Sequence, residues 1–284
     1  MKKITFILTF IATVIIAVSC DKIEGPYLQY DDSVETTVDF PDLDMATVYK
    51  KVLVEEFTGH RCTNCPDGHQ TLVSLSERYG DTLVAIGIHA GTFAIPTSSF
   101  PTDFRTEEGN TLYEDFTINL IGTPSAVVNR TQHGGAYALN IPAWQPAIDQ
   151  ELTLECVAAV QLINTFDHST KKLIAHTKTT PLNGYSGDMQ LALYVIEDGI
   201  IAPQKDGSET IEDYVHNHVL RGSLNGVYGT ILTSAEEDGS YLKSYELDCS
   251  QKEWNLGNCS VVAILMDVTN REVLQVEKCP FFNE

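Results

Sequence analysis

The chain is 284 residues long and carries a formal net charge of −21, from 39 acidic against 18 basic side chains. That balance excludes a simple nucleic-acid binder, which needs clustered Lys and Arg for phosphate. The length exceeds one typical domain, and the sequence holds neither a glycine-rich phosphate loop nor a readable Ser-His-Asp or Cys-His hydrolase context.

Residues 1–19 read as an export signal: Lys2 and Lys3, an apolar run from Ile4 to Val18, then small residues. The run is shorter than the ~18 residues expected of a membrane-spanning helix. The ending Ala17-Val18-Ser19-Cys20 resembles a bacterial lipobox. That implies cleavage before Cys20 and acylation of its thiol and new amino group, palmitate included, so the membrane is a partner through a lipid anchor. Residues 20–45 then hold the lipidated cysteine and a spacer, since positions 21–45 contain eight acidic residues, one lysine and Gly25, Pro26 and Pro41 without apolar order. Asp21-Lys22-Ile23-Glu24 partly resembles the surface-export signals of some Gram-negative lipoproteins, which leaves the periplasmic face and the cell surface both open for the anchored chain. Six cysteines remain after Cys20, an even number in an oxidising compartment.

Residues 46–152 predict an α/β domain. Val52–Phe57 is a short β-branched and apolar run, a buried strand. It leads into Cys62-Thr63-Asn64-Cys65-Pro66, and Thr71–Gly80 follows as a helix with Leu72, Leu75 and Tyr79 on one face and Gly80 as its stop. A cysteine between strand and helix lies near unpaired N–H groups and the positive end of the helix dipole. Both lower the pKa of Cys62, while Cys65, about one turn into the helix, is placed to resolve a mixed disulfide. Thr82–His89 is a second, nearly continuously apolar strand. Gly91–Thr117 reads as an insertion beside the site, with a helix near Asp103–Phe116. Ala126–Asn129 is a further strand and Ala143–Asp149 a closing helix despite Pro146.

Strand, CxxC and helix, followed by Ile121-Gly122-Thr123-Pro124-Ser125 before a strand, resemble the thioredoxin-like superfamily. The resemblance implies thiol–disulfide exchange, with Glu56 as a buried acid relaying protons to the second cysteine. It also implies that Pro124 is a cis-proline packed on the CxxC. No Trp precedes Cys62, where His60-Arg61 stand instead, and Thr63-Asn64 matches neither reducing nor strongly oxidising members. Two other uses of the cysteines stay open. One is a permanently oxidised structural disulfide. The other is a metal held with His60 and His69, which would require both thiols reduced. Neither a metal nor a cofactor is expected.

Residues 153–284 predict strands every 10–15 residues with polar turns, an all-β, immunoglobulin-like sandwich of about seven strands in two sheets. The strands fall at Cys156–Ile163, Leu173–Thr179, Met189–Glu197, Ser244–Leu247, Val261–Val268 and Glu272–Val276. His216 and His218 offer two imidazoles to one strand face, though a polar turn or edge strand explains them as well. The segment Tyr214–Arg221, with its His216-Asn217-His218-Val219-Leu220-Arg221 motif, together with Glu197-Asp198-Gly199, Val261–Leu265, the lipobox and the CxxC, is similar to outer-membrane lipoproteins related to a twenty-eight-kilodalton antigen. That family is defined by architecture more than by a reaction. Four cysteines permit three pairings. Cys249 and Cys259 flank a nine-residue loop, which favours a hairpin disulfide and leaves Cys156 with Cys279. Two functions follow: a membrane-anchored thiol–disulfide oxidoreductase acting on exported or surface proteins, or a surface-exposed binding or adhesion lipoprotein with a structural disulfide. The exposure of Cys62 separates them.

Overall fold

The computed structural model describes residues 33–282, so the expected signal 1–19 and the lipidation site Cys20 lie outside the described residues. Strand β1 (Val52–Thr58) leads through the CxxC loop into helix α1 (Cys65–Tyr79), and strand β2 (Leu83–His89) follows. Helix α2 (Glu107–Asp115), strands β3 (Ser125–Val128) and β4 (Ala138–Leu139) and helix α3 (Ile141–Glu151) come next. Then β5 (Ala158–Asp167), β6 (Lys172–Pro181) and β7 (Met189–Glu197) run as long strands. Short ones succeed them: β8 (Ile200–Ile201), β9 (Gln204–Asp206), β10 (Glu209–Ile211), β11 (Val215–His216), β12 (Val219–Ser223) and β13 (Thr230–Ile231). Strands β14 (Tyr241–Asp248), β15 (Cys259–Asp267) and β16 (Val273–Pro280) close the chain.

Helix α1 begins six residues before its apolar periodicity does. Pro66 sits in the first turn, where a missing N–H breaks no intrahelical bond, and Gly80 ends the helix at φ 55°. Cys65 is therefore the first helical residue rather than one turn in.

Nine strands form one sheet in the order β16-β15-β7-β12-β2-β1-β3-β4, with β13 on β7. Strands β1 and β2 are parallel, with Glu56 opposite Gly87, and β3 runs antiparallel to β1. On its other edge β2 meets β12 in parallel, Val219 opposite Gly87, and β12 in turn pairs antiparallel with β7. The segments 46–152 and 153–284, expected as separate domains, thus share a sheet. The reason is that β2 is buried on both faces and both edges, and the partner for its second edge comes from far along the chain.

Alternate side chains of this sheet enter different cores. On β7, Ala192, Tyr194 and Ile196 pack in one cluster with Leu112 of α2. Leu191, Leu193 and Val195 pack on the other face with Ala158, Leu173 and Tyr245. Those last residues belong to a second, three-stranded sheet, β14-β6-β5. Two sheets do face each other across this core, but the larger one continues into the α/β part, so the separate all-β, immunoglobulin-like unit expected of 153–284 is not what forms. At that end Val52 and Val54 of β1 pack on Leu72, Leu75, Trp144 and Ile148 of α1 and α3. The stretch 33–45, expected as part of a solvated spacer, is tied to the second sheet. Val34 N donates to Ser244 O at 2.7 Å, and Gln161 Nε2 donates to Pro41 O at 2.8 Å.

Neither expected pairing of the later cysteines forms. Strands β14 and β15 lie in different sheets, so Cys249 and Cys259 are not hairpin partners. Both are buried free thiols in one core, facing the carbonyls of Leu247 and Asn255. Burial pushes the Cys259 thiol up to about 12. Cys156 is a free thiol 3.2 Å from Gln275 Nε2. Gln275 precedes Cys279 by four positions on β16, roughly 13 Å at ~3.3 Å per residue, which is beyond disulfide reach.

Candidate functional site

Because β1 and β2 are parallel, their carboxyl ends, the CxxC loop and the start of α1 meet at one edge of the sheet. Cys62 and Cys65 are joined by a disulfide with Cα atoms 5.4 Å apart. The Thr123–Pro124 peptide is cis, and Thr123 O lies 3.5 Å from Cys62 Sγ. Gly68 shows how closely α1 sits on this centre. A Cβ there would stand 2.8 Å from Glu56 Oε1, 2.8 Å from Pro124 Cβ and 3.2 Å from the Trp144 ring. The four residues named for catalysis from sequence, Cys62, Cys65, Glu56 and Pro124, are therefore neighbours. Cys156, Cys249, Cys259 and Cys279 lie elsewhere.

Glu56 is 2% exposed and its Oε1 has no hydrogen-bond partner. Burial alone raises its pKa from 4.5 to about 8, so the acid is protonated at neutral pH. It shares a cavity of about 20 Å³ with Cys65, His69, His89, Tyr214 and His216. Burial lowers the pKa of each of these histidines, that of His216 to about 4. Buried acid and neutral imidazoles make a place where a proton can be held or moved without a net charge nearby.

The centre is covered. The β9–β10 hairpin lies over the CxxC loop, with Lys205 N donating to His60 O at 2.8 Å and Gly207 N to Thr63 O at 3.0 Å. Gln204 Nε2 donates to Cys62 O at 3.1 Å. Cys62 and Cys65 are each 2% exposed. An open exchange site requires Cys62 at the surface, and this state of the chain does not place it there.

His60 stacks on Phe100 at 5.6 Å, and His69 meets the edge of Tyr214 at 5.8 Å, so the two face different aromatic partners. Among the described residues, no three His, Cys, Asp or Glu side chains are grouped to hold a metal ion. The His-x-His pair is split between faces. His216 turns inward, its ring 5.4 Å from that of His89, while His218 adopts φ 56°. The segment acts as a stitch: His218 O accepts from Gly87 N at 2.7 Å, Asp198 Oδ1 from His218 N at 2.6 Å, and Asn217 Oδ1 from Gly199 N at 2.9 Å. It joins β12 to β2 and carries His216 to the cavity. Sequence reasoning singled out His216 but not its destination. Gln204 and His89 were missed as site residues, and Tyr214 stood out only as the start of the segment that carries His216.

HBP35 of Porphyromonas gingivalis has a similar fold, with a TM-score of 0.65 at 18% identity over 82% of this chain and 76% of that one. Protein AGR_C_4864 from Agrobacterium tumefaciens is similar at a TM-score of 0.50 and 12% identity, covering 84% of this chain and 98% of that one. A domain of the outer membrane lipoprotein Omp28 from Porphyromonas gingivalis gives a TM-score of 0.31 at 24% identity, over 44% of this chain and 88% of that one. No functionally curated protein matches the sequence. The family model of the outer membrane protein Omp28 matches residues 110–281, which takes in the proline loop and the stitch at 216–221 but begins after the CxxC. With more than half of its length matched, the chain belongs to the Omp28 family of outer membrane proteins.

Proposed function

We propose that this outer membrane protein is exported by residues 1–19, anchored by acylation of Cys20, and carries a thioredoxin-like thiol–disulfide exchange centre at Cys62–Cys65. The observation that carries the reading is Glu56. A buried carboxyl oxygen without a hydrogen-bond partner costs folding free energy. Set beside a disulfide at a helix start and a cis-proline loop, a strongly perturbed acid has a reason to be there as a proton donor. In this reading Cys62 is attacked first, Cys65 leaves and later resolves, Glu56 moves the proton, and Pro124 shapes the groove. The substrates are exported or surface proteins. The β9–β10 hairpin must move aside for them.

The burial of Cys62 favours a second reading, a binding lipoprotein whose α/β part is a scaffold with a structural disulfide. Covalent trapping separates the two. Under exchange, Cys65→Ser accumulates mixed disulfides on Cys62, because the resolving thiol is gone, whereas Cys62→Ser accumulates almost none. Absence of trapping by either variant, with a reduction potential below about −300 mV, assigns the bond a structural role.

A further inference from the structure

Glu56 is only 2% exposed, so the protons it gives or takes are best moved by a carrier. The cavity beside it, about 20 Å³, exceeds the ~10–15 Å³ that one water requires. Glu56 and Cys65 line the cavity, and of its lining residues His69, Tyr214 and Asn217 are half-buried while the others are buried. His89 and His216 also line it, but each is only 4% exposed and so has little access to solvent. Burial pushes the Tyr214 hydroxyl up to about 12, so it holds its proton. His69 stays neutral at pH 7 because burial, aided by nearby His218, lowers its pKa. A neutral imidazole has one N–H to give and one bare nitrogen to receive.

We propose that His69 is the proton relay of this site, passing protons between solvent and Glu56 through one water in the cavity. The inference rests on the exchange reading and deepens it. When the thiolate of a reducing dithiol attacks Cys62 Sγ, a new S–S bond forms, the Cys62–Cys65 bond breaks, and Cys65 leaves as a thiolate. Glu56 protonates that thiolate. The water reprotonates Glu56 and takes a proton from one ring nitrogen of His69, whose other nitrogen takes one from solvent. The second thiol of the reductant, once deprotonated, attacks its own sulfur in the mixed disulfide. Cys62 is released as a thiolate that solvent protonates, and the reductant becomes a cyclic disulfide. Two electrons have passed from the dithiol to the cystine.

The test is the rate at which dithiothreitol reduces Cys62–Cys65 in the mature full-length chain, followed by acid quench, alkylation and mass from about pH 5 to 9. Glu56→Gln slows reduction at least ~100-fold. His69→Gln slows it about ten-fold, since water alone then serves as a poorer relay. His69→Gly slows it similarly, and added imidazole restores the rate with saturation, a response that a purely structural role does not give. Matched thermal melts exclude misfolding. Wild-type rates in both His69 variants while Glu56→Gln is slow, or no rescue by imidazole, overturn the relay alone. A wild-type rate in Glu56→Gln, or a wild-type disulfide that resists reduction altogether, overturns the exchange reading and the relay with it.

Discussion

Replacing Glu56 by Gln tests the burial of the acid without reference to any reaction. The folded chain holds the Glu56 proton up to about pH 8, whereas an unfolded chain releases it near 4.5. Below pH 4.5 both states are protonated, and the group imposes no electrostatic penalty. Between 4.5 and about 8 the unfolded state ionises and the folded state does not, so stability falls as pH rises, by about 1.4 kcal/mol per unit. At pH 7 the accumulated loss is about 3 kcal/mol, and it levels off above pH 8 near 5 kcal/mol. Gln fills the same space and never ionises. The variant is therefore expected to be about 3 kcal/mol more stable than wild type at pH 7 and close to it at pH 4. Denaturant unfolding of the oxidised proteins at several pH values measures the difference. A gap that stays flat with pH, or favours wild type at pH 7, refutes the argument that Glu56 is desolvated and unpaired.

Other substitutions probe the surroundings. Cys20→Ser is expected to move the protein from the membrane to the soluble exported fraction, and retention in carbonate-washed membranes would show that Cys20 is not the anchor. Arg130 and Glu55 form a fully buried pair with contacts of 2.6 and 2.9 Å. Arg130→Met strands the carboxylate and is expected to cost about 3–5 kcal/mol in denaturant unfolding, most of it recovered in the double variant with Glu55→Gln. Gly68→Ala forces a methyl to within 2.8 Å of both Glu56 and Pro124, and an overpacking loss of about 1–3 kcal/mol is expected by thermal or chemical melt. An unchanged melt would mean that α1 does not sit so closely on the acid.

Much of the centre was written locally. The strand at 52–57, the CxxC, the Gly-Thr-Pro loop and the strand after it each rest on residues a few positions apart, and short-range periodicity and turn chemistry carry that information. Glu56, Cys62, Cys65 and Pro124 came together as the thioredoxin-like resemblance implied. What needed the tertiary structure was every relation across the chain. The apolar pattern of Leu83–His89 says that both edges of β2 must be paired, yet not that Val219 pairs one of them. Cys249 and Cys259 look like hairpin partners by spacing, but their strands enter different sheets, because hydrogen-bonding partners are chosen by the global packing of apolar faces. The cover over Cys62 has the same origin. Gln204, Lys205 and Gly207 reach the CxxC loop through backbone groups and one amide, which leave no mark in a sequence pattern. The sequence determined by itself which residue types the site holds, a CxxC pair, an acid and a Gly-Thr-Pro loop, since residue identity and local order set that. Whether the site is open, and what surrounds its acid, only the long-range pairing of the sheet decided.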